Sequence, residues 1–184
     1  MLDGATRIPR IVRDILEKRG FLFYYGEPSV GKTVLARLFI ETLESLGFRH
    51  CYIATEPGSI ADPSRIYVIN LYNLLEAMFN CLSRGIAPVV DTLNSYYEGD
   101  IEGGRLLAFA SALARSSNLP VIAVGQVRGE GVPWGWRWIK PWATHVARVR
   151  RLRPGVSIME FEKPLRAIVA FKVAPLAGGG YAWI

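Results

Sequence analysis

A short apolar run, Phe21-Leu22-Phe23-Tyr24-Tyr25, ends on Gly26-Glu27-Pro28-Ser29-Val30-Gly31-Lys32-Thr33, and a helical pattern begins at once. The spacing G-x-x-x-x-G-K-T restricts the chain more than any other feature. A strand must stop at the first glycine, the backbone must wrap on itself, and a helix must open at the lysine. The glycines let the backbone turn tightly enough to aim its N–H groups at an anion. The helix N-terminus adds a favourable dipole. Lys32 supplies a point charge for outer phosphates, and the Thr33 hydroxyl can ligate Mg²⁺. Residues Gly26, Glu27, Pro28, Ser29, Val30, Gly31, Lys32 and Thr33 therefore predict a nucleoside triphosphate site, with ATP and Mg²⁺ as cofactors.

The alternation that starts there continues. Apolar periodicity predicts helices over 8–17, 32–46, 71–83 and 103–115, and strands over 21–25, 50–54, 66–69, 87–91 and 120–125. Pro88 is awkward inside a central strand and is expected to be the first residue of its own. Such alternation implies a mostly parallel twisted sheet flanked by helices. Residues 127–142, rich in Gly, Pro and Trp, read as a loop. The stretches 143–152, 156–162, 167–173 and 180–184 then follow with no helix between them. They are expected to extend the sheet with C-terminal antiparallel strands, giving an α/β fold.

Length and composition fit one domain, 1–184, because 184 residues with 51% hydrophobic content can bury a sizeable core. No apolar run is long enough to span a bilayer, and Met1-Leu2-Asp3-Gly4 lacks the layout of a secretory signal. The expectation is a soluble, cytoplasmic protein with no membrane partner. Cys51 and Cys81 have no metal-like spacing and are expected to be buried, reduced thiols. Gln126 is the only glutamine, a scarcity of heat-labile amides that hints at a thermophilic source.

In a parallel sheet the strand ends share one edge, and three polar residues end strands there. Val89-Val90-Asp91 delivers a carboxylate suited to the metal, the alternative being an ordinary cap or turn. Glu56 follows Cys51-Tyr52-Ile53-Ala54-Thr55, and Gln126 follows Val121-Ile122-Ala123-Val124-Gly125. A carboxylate near the outer phosphate can orient or deprotonate water, and a glutamine can sense the phosphate by hydrogen bonding. Each is equally a surface polar residue at a strand end.

Of 22 basic and 16 acidic residues, seven basic and one acidic fall between Arg128 and Arg153; the remaining fifteen of each sign cancel. The net +6 therefore sits in one segment, which suits an anionic partner or a solvated basic face. Within it Trp134, Trp136, Trp138 and Trp142 interleave with Arg137 and Lys140. Basic charge attracts a phosphate backbone and aromatic faces stack on exposed bases, a chemistry that suits single-stranded DNA. Arg128, Trp134, Trp136, Arg137, Trp138 and Lys140 are the candidate contacts. The same rings could anchor a protein interface, or fold back onto the core. Trp134-Gly135-Trp136-Arg137-Trp138 alternates, as if two faces had different tasks. Arg148 and Arg150 are expected on one face of a strand.

Taken in order, the phosphate loop, Tyr52-Ile53-Ala54-Thr55-Glu56, Val89-Val90-Asp91-Thr92 and Gln126-Val127-Arg128 resemble the RecA-type recombinase core. The likeness is closest to its archaeal branch, RadA and the shorter paralogue RadB, and spans roughly residues 20–175. It implies that Glu56 activates water, that Asp91 is the Mg²⁺-associated acid, and that Gln126 links nucleotide state to a DNA-binding loop. Glu162-Lys163-Pro164 faintly resembles the family segment that caps a neighbour's ATP. There are departures: Pro57 stands for the usual Gly, Thr92 for the usual Ser, and the linker Phe-x-x-Ala motif is missing. Phe109-Ala110-Ser111-Ala112 has those letters inside a predicted helix. The chain also leaves no room for RadA's N-terminal helical DNA-binding domain. The resemblance implies a slow, Mg-dependent ATPase of DNA recombination and repair, nucleoid-associated. Its partners would be single-stranded DNA, a recombinase or other repair protein, and a second copy of itself. The alternatives are a nucleotide-switched interaction module with negligible hydrolysis and, ranked last, a small-molecule kinase.

Overall fold

In the computed structural model, residues 8–56, 62–127, 131–164, 166–173 and 181–184 are described. The apolar run before the glycine loop is strand β1 (Phe21–Gly26), buried along its whole length. Four more strands follow, with helices before β2, β4 and β5: β2 (His50–Ala54), β3 (Arg65–Tyr67), β4 (Ala87–Asp91) and β5 (Val121–Gln126). The helices are α1 (Arg10–Glu17), α2 (Lys32–Ser45), α3 (Leu71–Ser83), α4 (Ile101–Ser116) and the single turn α5 (Trp136–Ile139). Strands β6 (His145–Arg153), β7 (Val156–Lys163) and β8 (Ala167–Lys172) complete one eight-stranded sheet, ordered β3-β2-β4-β5-β1-β6-β7-β8.

Apolar residues on both sides of β1, β2, β4 and β5 require cover on both faces. One cluster joins α1 and α2 to the sheet through Leu16, Leu35, Phe39, Tyr24, Tyr52 and Val124. The other joins α3, α4 and α5 through Leu74, Leu107, Ile139, Phe23, Ile53 and Ala123. Two helix starts carry side-chain caps. The side chain of Asn70 accepts from the Asn73 N–H at 2.8 Å at the head of α3, and Asp100 accepts from the Gly103 N–H at 3.1 Å at the head of α4. No described helix is long and apolar enough to cross a membrane.

Several expectations are corrected. Strand β6 is parallel to β1, with Leu22 beside His145 and Tyr25 beside Arg148; among the described strands the antiparallel pairings are β6 with β7 and β7 with β8. The predicted strand over 66–69 is Arg65–Tyr67, because Asn70 must already cap α3. Pro88 is the second residue of β4, not the first. Ala87 gives its N–H to Arg49 O on the β2 side, so the donor that Pro88 lacks faces β5, whose pairing begins only at Val89. At the C-terminus, among described residues, there is only a bridge between Trp183 and Phe171 rather than a strand. Cys51 and Cys81 are buried as expected but joined in a disulfide, which ties β2 to α3. The helix expected around Phe109 is present as α4, and Phe109 lies exposed on it.

Candidate functional site

Strand β1 ends at Gly26, and the chain wraps before entering α2. Ser29 and Gly31 both take positive φ, 62° and 97°. Glycine at 31 makes the second of these turns cheap, and left-handed residues interspersed in a turn gather successive N–H groups into a concavity. Helix α2 then opens at Gly31 with no side-chain cap, leaving its first-turn donors aimed at the loop's mouth. The Lys32 ammonium lies on the carbonyls of Gly26 and Glu27, at 2.7 and 2.8 Å. Burial lowers its pKa, an effect opposed by Asp91, Glu27 and Glu56. The loop is braced from the sheet. Ser157 Oγ donates to Val30 O at 2.7 Å, Tyr24 OH donates to Lys32 O at 3.0 Å, and the Arg151 guanidinium donates to Ser29 O.

The parallel register brings the predicted strand ends to this edge. Gly26 is beside Gln126, and Ala54 is beside Asp91. Asp91 Oδ2 accepts from Thr33 Oγ1 at 3.2 Å and from Tyr52 OH at 2.9 Å. Burial raises the Asp91 pKa; those two hydrogen bonds and the charge of Lys32 oppose the rise, while Glu56 adds to it. Glu56 and Gln126 meet directly, the Gln126 amide donating to Glu56 Oε1, and Ser95 Oγ donates to the same oxygen at 3.3 Å. Two pairs therefore form beside one loop, Asp91 with Thr33 and Glu56 with Gln126.

The donor set fits a triphosphate with a divalent cation. An uncapped helix start offers N–H groups to phosphate oxygens, and Lys32 can exchange two carbonyls for them. Among the described residues no cluster of three or more His, Cys, Asp or Glu could hold a metal alone. One hydroxyl and one carboxylate suit a Mg²⁺ ion that takes its other ligands from phosphates and water. Neither a protein-family model nor any curated protein sequence matches the chain.

The aromatic segment folds back onto the sheet and α4. Trp136 packs against Phe23 and Tyr25, with ring centroids 6.1 and 5.5 Å apart. Trp134 meets Tyr97 edge-on at 6.1 Å. Trp138 donates from Nε1 to Tyr97 OH at 3.3 Å and lies so close to Gly104 that a Cβ there would be 2.3 Å from its ring. The period-two alternation read from the sequence is replaced by the helical turn α5, so Trp136 and Trp138 reach different partners. Trp142 is the exposed ring of the four, and Arg137 and Lys140 are exposed. Their cations sit over Trp138 and Trp136 at 4.9 and 5.2 Å. Arg128 lies outside the described residues. Arg148 and Arg150 share an exposed face of β6, where Glu160 takes both hydrogen bonds of Arg150, at 2.7 and 2.8 Å.

Sequence reasoning missed Asn94 and Ser95 at this edge, and it passed over the hydroxyl of Tyr52. Asn94 accepts from Gln126 N at 2.9 Å and donates to the carbonyls of Gln126 and Trp134 at 3.0 and 2.8 Å. The available signal was a polar residue three positions past a strand-ending aspartate, but its partners are more than thirty residues away in sequence.

Proposed function

We propose that this protein is an ATP-binding, Mg²⁺-dependent ATPase of the RecA recombinase type, similar to archaeal RadA and RadB, acting in DNA recombination and repair. The observation that carries the reading is the 3.2 Å contact of Thr33 with Asp91 beside the uncapped start of α2 and its Lys32. A bound triphosphate would take the α2 N–H groups and the Lys32 ammonium. Thr33 and Asp91 would hold Mg²⁺, which neutralises charge on the phosphates when bound. Glu56 orients and deprotonates the attacking water. Its carboxylate is engaged by the Gln126 amide and Ser95, contacts that have to loosen before it can take a water, which supports slow turnover. Gln126 connects the site to the loop that follows it. In that loop the exposed Arg137, Lys140 and Trp142 offer single-stranded DNA a basic and aromatic surface, with Trp134, Trp136 and Trp138 as its packed foundation.

A second reading, a nucleotide-switched interaction module without direct DNA contact, is favoured by two observations. Three of the four tryptophans are turned inward, and β3, the edge strand among the described residues, with its sequel exposes Ile66, Tyr67 and Ile69. Such an edge suits strand addition by a repair protein or a second copy. The deciding experiment pairs ATP binding with anisotropy of a labelled single-stranded oligonucleotide. Lys32→Ala is expected to lose nucleotide affinity, and unchanged affinity would sink the central claim. Oligonucleotide binding that weakens with salt and responds to nucleotide supports the first reading; no binding in any nucleotide state supports the second.

A further inference from the structure

In the register of β2 on β4, Tyr52 lies beside Val89 and Ala54 beside Asp91. Alternate strand residues share a face, so Tyr52, Ala54, Val89 and Asp91 all point toward α2, which carries Thr33. The Tyr52 side chain is fully buried, and its hydroxyl reaches diagonally to Asp91 Oδ2 at 2.9 Å, the oxygen that Thr33 Oγ1 meets at 3.2 Å. Ala54, directly beside Asp91, is small enough to leave that diagonal open. Asp91 is only 7% exposed, so a fixed protein donor rather than bulk water sets its orientation.

We propose that Tyr52 is a positioning residue for the divalent cation of the triphosphate site. Its hydroxyl pins Oδ2 of Asp91 and so aims the carboxylate at the place a cation shares with the Thr33 hydroxyl. The inference rests on the triphosphate reading above. Hydrogen bonds to a ligating carboxylate fix its orientation, and their loss typically costs about 10–100-fold in metal affinity. A phenol that merely filled the core would act on the fold and leave metal dependence alone.

The test uses the full chain as wild type, Tyr52→Phe, Asp91→Asn and the double variant. Mn²⁺ binding is followed by electron paramagnetic resonance with a non-hydrolysable ATP analogue present. Affinity for that analogue is also measured in EDTA. Tyr52→Phe is expected to weaken Mn²⁺ binding about tenfold, to keep wild-type affinity in EDTA, and to add nothing to the loss caused by Asp91→Asn. Unchanged Mn²⁺ affinity overturns the proposal, as does an equal loss in EDTA or an additive loss in the double variant. If the wild type binds no triphosphate in either medium, the parent reading fails and the proposal falls with it. A wild type that binds normally beside an indifferent Tyr52→Phe rejects the role of Tyr52 alone. Phe keeps the buried ring, and the double-variant comparison still reads coupling if loss of the hydroxyl also affects stability.

Discussion

Asn94 uses both ends of its side-chain amide at the neck of the aromatic loop, holding Gln126 by N–H and carbonyl and Trp134 by carbonyl. It is 2% exposed, so water cannot replace it. Asn94→Ala is expected to lower unfolding free energy by about 2–3 kcal/mol, because buried backbone groups lose their partners. Urea denaturation measures the loss, and a change within error would show that the neck is held by other contacts. The neighbouring Ser95 touches Glu56, so one short stretch after β4 reaches both the candidate base and the loop. At this scale the sequence located Glu56, Asp91, Gln126, Lys32 and Thr33 because a strand end and a motif fix where they go. It was silent on Asn94 and on the hydroxyl of Tyr52, whose tasks depend on partners supplied by distant segments.

The elements around the sheet were legible where periodicity was strong, as in α3 and β4, and blurred in the tryptophan segment. There a single helical turn, α5, is too short to show a period. Its packing on α4 assigns different burdens to similar residues. Trp138 is half-buried against Tyr97 and Gly104, whereas Trp142 is 41% exposed. Trp138→Ala is expected to cost about 2 kcal/mol, below the range for a fully buried tryptophan. Trp142→Ala should stay within about 0.5 kcal/mol. Thermal or chemical unfolding of the two variants makes the comparison, and equal effects would contradict the packing. Trp142→Ala is also the cleaner probe of oligonucleotide binding, since it removes a surface ring without loosening the loop.

Across the whole molecule, the charge excess read from the sequence is partly consumed internally. Arg150 is paired with Glu160, Arg151 with the Ser29 carbonyl, and Arg137 and Lys140 stack on tryptophans. At the N-terminal end of β6 another group of cations surrounds a half-buried imidazole. Burial lowers the His145 pKa, and Lys18 just after α1, Lys163 of β7 and Arg115 of α4 lower it further. Asp14 lines the same small cavity, and Thr144 Oγ1 lies 2.9 Å from Nδ1. A histidine whose folded pKa is depressed below its ordinary 6.5 is protonated first in the unfolded chain. Its contribution is therefore intact above that value and is lost as pH falls through it. Denaturant midpoints at about pH 7.5 and about pH 5.5 should show a decline that His145→Gln reduces; an unchanged decline would assign it to other groups.

The sequence by itself determined that β1 stops at a wrapping loop, that α2 starts on Lys32, and that alternating elements form a largely parallel sheet. Those outcomes follow from local backbone demands and from burial periodicity, both written in neighbouring residues. Only the tertiary structure decided that β6 joins β1 in parallel, that Cys51 bonds Cys81, and that three tryptophans turn inward. It also decided that Asp91 meets Thr33 and Tyr52 while Glu56 meets Gln126. Each of these depends on register and on side-chain packing between segments far apart in the chain, where local pattern carries no information about the partner.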